Sequence, residues 1–348
     1  MKRFQCRCGQ TLFFNNTLCA ACGSRLGFDP RALVLRTITW IGDSLWRDDE
    51  GNHIRLCRNA LEHQVCNWLI PAGDADQYCT ACRLTRTIPN LTAPENWQAW
   101  QRIEAAKRRL IYTLLELRLP VWAKTCDWPN GLAFDFIEDQ RRNPLVRENY
   151  VMTGHEGGVI TLNIAEADEV YRAMERKKMN ESYRTLLGHF RHESGHYYFG
   201  HLIADDTTLT EFRALFGDER RDYDTALQGY YGQALNTDWQ ARHISAYATA
   251  HPLEDWAETW AHYLHMRDLL ETAYSWDLAG TDAESPDFDV LLDLWRELSV
   301  KLNELNRSMG LRDAYPFVIH AAVAEKLRWV HQRLLAWRPD SDHPATAN

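Results

Sequence analysis

Eight of the nine cysteines lie before residue 83, and this clustering restricts the amino-terminal fold more than any other feature of the chain. Cys6-Arg7-Cys8-Gly9 and Cys19-Ala20-Ala21-Cys22-Gly23 are two short knuckles, separated by a stretch that contains Leu12-Phe13-Phe14. A hairpin that brings two knuckles together presents four thiolates in the tetrahedral arrangement zinc prefers. The glycine after each knuckle suits a tight turn whose backbone N–H groups point at the sulfurs. Cys57, Cys66, Cys79 and Cys82 form a second group. Its back half, Cys79-Thr80-Ala81-Cys82, is another knuckle, whereas its front half is widely spaced and leaves His63 in reach as a substitute ligand. Two structural zinc ions are therefore expected, with iron as the alternative metal because paired knuckles also hold it. Cys126 stands apart and is expected to be a free core thiol.

Thiols grouped as ligands rather than as disulfide pairs fit a reducing compartment. The start, Met1-Lys2-Arg3-Phe4-Gln5-Cys6, has no apolar h-region, and no run of eighteen apolar residues occurs. A cytoplasmic location and no membrane partner are expected. The net charge of −9 disfavours nonspecific nucleic-acid binding. Lys2, Arg3, Arg7, Arg25, Arg31 and Arg36 against Asp29 make residues 1–40 locally basic, which reads as a solvated face.

The 348 residues divide into a cysteine-rich region over 1–90, a larger domain over 91–338 and a polar tail over 339–348 expected to be disordered. The boundary carries Pro89-Asn90-Leu91 and a capping box, Thr92 with Glu95, that would open a helix. Trp97, Trp100, Ile103, Leu110, Leu114 and Leu117 recur at helical spacing until Pro120. Strands are expected at Leu132–Ile137 and Val159–Ile164, with His155–Gly158 as a turn joining Tyr150–Thr153 to the latter. A helix capped by Asn180 or Ser182 should run through Leu186, Leu187 and Phe190 to about Phe199, where Gly200 stops it. Residues 203–240 read as irregular with short helical pieces. Helices follow from Pro252 through Met266, near 288–308 and near 316–337. The class is α+β: an amino-terminal zinc-ribbon-type β region, then a mostly helical domain with a small sheet.

Within the first of these late helices lies His192-Glu193-Ser194-Gly195-His196, an HExxH pattern. Positions i and i+4 share a helix face, so both imidazoles can bind one tetrahedral metal from a single rigid element. Glu193 projects beside them, where it can take a proton from a water activated by a catalytic zinc. Such a zinc usually takes three protein ligands. The best source of the third is His251-Pro252-Leu253-Glu254-Asp255-Trp256-Ala257-Glu258, far enough along for a helix to return antiparallel. Glu254 and Glu258 are also four apart, so one can bind the metal while the other accepts a hydrogen bond from a ligand histidine. Spacing does not say which is which. His262 could join that outer layer, and His155 could line the cleft.

Residues 192–196 and 247–262 resemble a gluzincin-type metallopeptidase, and the order of Tyr247, Glu254 and Glu258 is similar to that of the lethal-factor-like peptidases. The resemblance makes Glu254 the metal ligand, Glu258 the partner behind a ligand histidine, and Tyr247 the hydroxyl on the oxyanion. From the residues alone, Tyr150, Tyr197, Tyr198, Tyr230, Tyr231 and Tyr263 compete with Tyr247 for that role. The chain also resembles the bacterial zinc-binding metallopeptidases that carry an amino-terminal zinc ribbon. There the resemblance runs through the ribbon and through Glu254-Asp255-Trp256-Ala257-Glu258 and Trp260-Ala261-His262-Tyr263. It implies a zincin-like domain over 91–338, three zinc ions and a peptide or protein substrate. In metallopeptidases of this build an edge strand binds the substrate backbone, and Val159–Ile164 is the candidate by analogy. The alternative reading is a zinc-ribbon adaptor whose peptidase-like domain mainly binds a protein partner, with the ribbon region as a further docking element.

Overall fold

The computed structural model describes residues 2–141, 143–178, 184–232 and 238–337. Its contacts divide the chain into two compact units, the first through Tyr171 and the second from Arg172.

The first unit begins with a small antiparallel hairpin, β1 (Phe4–Gln5) and β2 (Thr11–Leu12). A five-stranded antiparallel meander follows: β3 (Arg25–Asp29), β4 (Val34–Gly42), β5 (Leu45–Asp48), β6 (His53–Leu56) and β7 (Leu69–Pro71). The short helix α1 (Arg58–Leu61) sits between the last two strands. The meander curls until its ends meet, since Phe28 N–H donates to the Asn67 carbonyl at 2.7 Å. The ring of Phe28 packs 5.0 Å from Phe14 and 4.9 Å from Trp68, which gives these short strands an aromatic core. Next come β8 (Thr85–Thr87), α2 (Pro94–Glu116), β9 (Ala133–Ile137), β10 (Gly154–Glu156) and β11 (Val159–Asn163). The four strands form a sheet in the order β10-β11-β9-β8.

Several local expectations shift here for identifiable reasons. No side chain caps α2: its N-cap is Ala93, and the Thr92 hydroxyl instead donates to Asn90 Oδ1 at 2.9 Å. The hairpin turn is Gly157-Gly158, with φ of 53° and 84°, so its first strand is Gly154–Glu156 rather than Tyr150–Thr153. Both turn residues need the left-handed region, which only the glycine pair meets without strain. β11 is paired on both sides, by β10 and by β9, so it offers no free edge for an added strand. Cys126 is exposed rather than in the core.

The boundary between the units falls within α3 (Glu169–Lys178). The second unit then contains α4 (Leu186–Leu202), α5 (Asp206–Phe216), α6 (Tyr223–Gly232), α7 (Pro252–Ser275), α8 (Phe288–Ser308) and α9 (Ala321–Ala336). Asn180 and Ser182 lie outside the described residues, as does the tail over 339–348. The cap of α4 is Thr185, whose hydroxyl accepts from Gly188 N–H at 2.9 Å. Gly200 does not stop this helix, which continues to Leu202. α7 also runs past Met266, because Leu270 and Ala273 carry its buried stripe onward.

α4 and α7 pack antiparallel and unusually close. Trp256 Nε1–H donates to the Gly195 carbonyl at 2.8 Å, and Trp260 Nε1–H donates to Ser194 Oγ at 3.0 Å. A β-carbon on Gly195 would lie 2.9 Å from the Ala257 backbone and 3.0 Å from the Trp260 ring. Replacing glycine by alanine inside a helix normally stabilises by about 1 kcal/mol. At position 195 overpacking costs about 1–3 kcal/mol and should win. Gly195→Ala should therefore lower the urea midpoint, whereas Gly200→Ala, with nothing near its would-be β-carbon, should raise it. A stabilised Gly195→Ala variant would contradict the close packing.

Candidate metal centre

Two turns of α4 place His192 and His196 on one face, and the antiparallel α7 brings Glu254 and Glu258 opposite them. His192 Nε2 stands 3.3 Å from His196 Nε2 and 3.0 Å from Glu254 Oε2. Glu254 Oε1 lies 3.4 Å from His196 Nε2. Donors held 2.0–2.1 Å from a tetrahedral zinc are roughly 3.3–3.4 Å apart, so the spacing suits that ion. The protonation pattern points the same way. His192 Nδ1 is 2.7 Å from Glu258 Oε1, so the imidazole gives its proton to that carboxylate and turns a bare lone pair inward at Nε2. Glu254 Oε2 is buried and accepts no hydrogen bond among the described residues. Two imidazole nitrogens and a buried carboxylate oxygen that converge this closely suit a shared cation.

The surrounding groups hold charge states that suit such a centre. Burial alone would raise Glu254, yet hydrogen bonds and positive charge from His192 and His196, a role a bound cation would take over, hold it well below the usual carboxylate range. Burial raises Glu193; the two histidines pull it back and the neighbouring Glu254 and Glu258 push it up again, leaving it above its ordinary value. A carboxylate oxygen of Glu193 lies within 4.8 Å of a ring nitrogen of each histidine, which puts it beside any ion the two hold. Tyr247 packs its ring 5.9 Å from that of His192. Burial, reinforced by the charge of Glu254, keeps its phenol protonated far beyond neutral pH.

The remaining candidates separate. Tyr197 and Tyr198 are buried on α4, and Tyr263 is bonded to His331 Nδ1 at 2.8 Å. Tyr230 and Tyr247 pack ring to ring at 5.8 Å. His262 is 2.7 Å from the Tyr315 hydroxyl, and burial pushes it down to about 4. Burial raises Glu258, while hydrogen bonding from His192, the charges of His192 and His262, and hydrogen bonding from Ser245 hold it below its ordinary value. His155 accepts from Gly158 N–H at 3.1 Å and so belongs to the β10–β11 turn. Two residues escaped the sequence: Ser245, and Tyr223, whose hydroxyl donates to Glu254 Oε1 at 2.6 Å. For Tyr223 the available signal was weak, a seven-residue spacing to Tyr230 that puts both on one face of α6.

In the first unit, the sulfurs of Cys6 and Cys22 are 3.6 Å apart and those of Cys8 and Cys19 are 3.7 Å apart. Cys66 and Cys79 are likewise 3.7 Å apart, in a group completed by Cys57 and Cys82. Thiolates about 2.3 Å from a tetrahedral zinc stand roughly 3.7–3.8 Å from one another, so both groups fit the ion. Trp68 N–H reaches Cys66 Sγ at 3.3 Å and Cys79 N–H reaches Cys57 Sγ at 3.4 Å, as thiolate acceptors require. His63 does not join them and packs 5.2 Å from Trp100. No helix among the described residues is long and apolar enough to cross a membrane.

Comparison with known proteins places these features in a family. Residues 96–333 match the family described as "Putative zinc-binding metallo-peptidase", and residues 3–93 match a zinc-ribbon domain. Uncharacterized proteins of Mycobacterium bovis and Mycobacterium tuberculosis are each 44% identical over 349 residues, covering 98% of this chain and 97% of theirs. No solved structure matches.

Three groups of metal-ligating side chains lie together among the described residues: the two cysteine groups, and His192 and His196 with Glu193. Purified without chelator, the protein should carry three zinc ions by elemental analysis. Chelator should remove the histidine-bound ion first, because its open position leaves it only three protein ligands. The Cys6 group, with Cys8 and Cys22 exposed, should follow, and the wholly buried Cys57 group should be last. One zinc or fewer, or iron as the main metal, would contradict this assignment.

Proposed function

Because the chain belongs to the "Putative zinc-binding metallo-peptidase" family, we propose that it is a zinc-dependent peptidase in which Glu193 is the general base. The observation that carries this is the meeting of His192, His196 and Glu254 around one cation-sized space with Glu193 beside it. A zinc ion held there would lower the pKa of its water and polarise the scissile carbonyl. Glu193 takes the proton of the attacking water, a task suited to a carboxylate held above its ordinary value. The same carboxyl then returns a proton to the leaving amine. Tyr247, protonated and close to His192, donates to the carbonyl oxygen as its negative charge develops. Glu258 fixes the ring and tautomer of His192, and Ser245 bonds Glu258 in turn.

The proposal assigns the ribbon region to residues 1–90, the metallopeptidase domain to 91–338 and a tail to 339–348. Peptides or proteins are its substrate class. Cysteines grouped as ligands, with no disulfide among the described residues, support a reducing compartment such as the cytoplasm.

Glu193→Gln preserves side-chain shape and removes basicity without touching a metal ligand. On a proteome-derived peptide library read by mass spectrometry, this variant should cleave more slowly by at least ~10²–10⁴-fold, the contribution of a positioned general base. It should retain the same three zinc ions as the wild type. Cleavage at the wild-type rate would overturn the mechanism.

A further inference from the structure

Tyr223 begins α6, outside both motifs that define the centre, yet its hydroxyl reaches Glu254. The contact is 2.6 Å long and goes to Oε1, leaving Oε2 as the oxygen without a hydrogen bond. Two oxygens of one carboxylate thus have different tasks. Burial and the charge of Glu254 raise the Tyr223 phenol well above its ordinary value, so it stays protonated and donates to Glu254.

The backbone ties both ends of this contact together. His251, buried at the N-cap of α7, accepts from Leu253 N–H through Nδ1 at 3.2 Å. Its Nε2–H donates to the Arg221 carbonyl at 3.0 Å, two residues before Tyr223. One tautomer satisfies both bonds, and the His251 ring lies 5.1 Å from that of Tyr223. The start of α6 and the first turn of α7 are therefore held in register by a histidine that has no direct part in metal binding. This gives His251 a structural reason to precede Pro252 and Glu254.

On the reading that His192, His196 and Glu254 hold zinc, we infer that Tyr223 is a positioning residue: by occupying Glu254 Oε1 it makes Glu254 a one-oxygen ligand and keeps a coordination position open. A carboxylate released from that bond could turn both oxygens to the metal. Two-oxygen binding would fill the place that water or a substrate carbonyl needs.

Tyr223→Phe removes the hydroxyl and keeps the ring, and Tyr223 is 38% exposed, so the variant should fold. In the full chain the chelator-labile metal is exchanged for cobalt(II) while the thiolate groups stay loaded. The visible spectrum should weaken in the variant, as a four-coordinate ion becomes five-coordinate. Zinc affinity at the labile position, measured by competition with a chromophoric chelator, should change with it, falling roughly 10–100-fold as for loss of other supporting hydrogen bonds. A residue with only a structural role would lower the melting temperature and leave the cobalt spectrum unmoved. An unchanged spectrum and affinity in a variant whose wild type loads normally would overturn the role of Tyr223. A wild type that takes up no labile metal would instead overturn the metal centre itself.

Discussion

The close approach of α4 to α7 at Gly195 is the constraint on which the second unit depends. The absence of a side chain there lets the backbone of Ala257 and the ring of Trp260 come within contact of the first helix. Two buried indoles then lock the pair by donating to Gly195 and Ser194. Glu254 and Glu258 can meet His192 and His196 only because the helix axes are drawn together at that point. A wider separation would leave these four polar side chains apart, each short of a partner. The glycine inside the HExxH pattern thus acts through packing, while its neighbours act through chemistry.

Around that pair the polar groups are layered. His192 faces Glu254 on one side and is bonded from behind by Glu258, which is bonded by Ser245. Glu254 is oriented by Tyr223. His192 and Glu254 thus each have a rotamer fixed by an outer group, which is how a metal centre keeps donor positions to within a fraction of an ångström. The outer groups come from separate short segments, the start of α6 and the turn before α7. Those segments are anchored by His251 and by the aromatic contacts of Tyr223, Tyr230 and Tyr247.

What could be read in the sequence follows from how local each relation is. The shared face of His192 and His196 needs only the helical period, and the cysteine knuckles need only a turn. The α+β class and the two long helices from Pro252 and Phe288 follow from sustained patterns. Glu254 against Glu258 was ambiguous by spacing, because both occupy one face; a hydrogen bond to His192 Nδ1 and an orphaned oxygen distinguish them only in three dimensions. Tyr223 was hidden because its partner lies thirty-one residues away and its own segment is polar. A four-residue turn at His155–Gly158 would put the first hairpin strand at Tyr150–Thr153, whereas the glycine pair at 157 and 158 alone makes the turn and the strand is Gly154–Glu156.

The central claim is that one zinc ion sits among His192, His196 and Glu254. Diffraction from crystals of the full chain, recorded on both sides of the zinc absorption edge, tests it without reference to any substrate. An anomalous peak is expected about 2.0–2.2 Å from His192 Nε2, His196 Nε2 and Glu254 Oε2, with Glu258 bonded to His192 and not to the ion. A zinc-replete crystal with no peak there, or with the ion on Glu258 and Glu254 turned away, would contradict it.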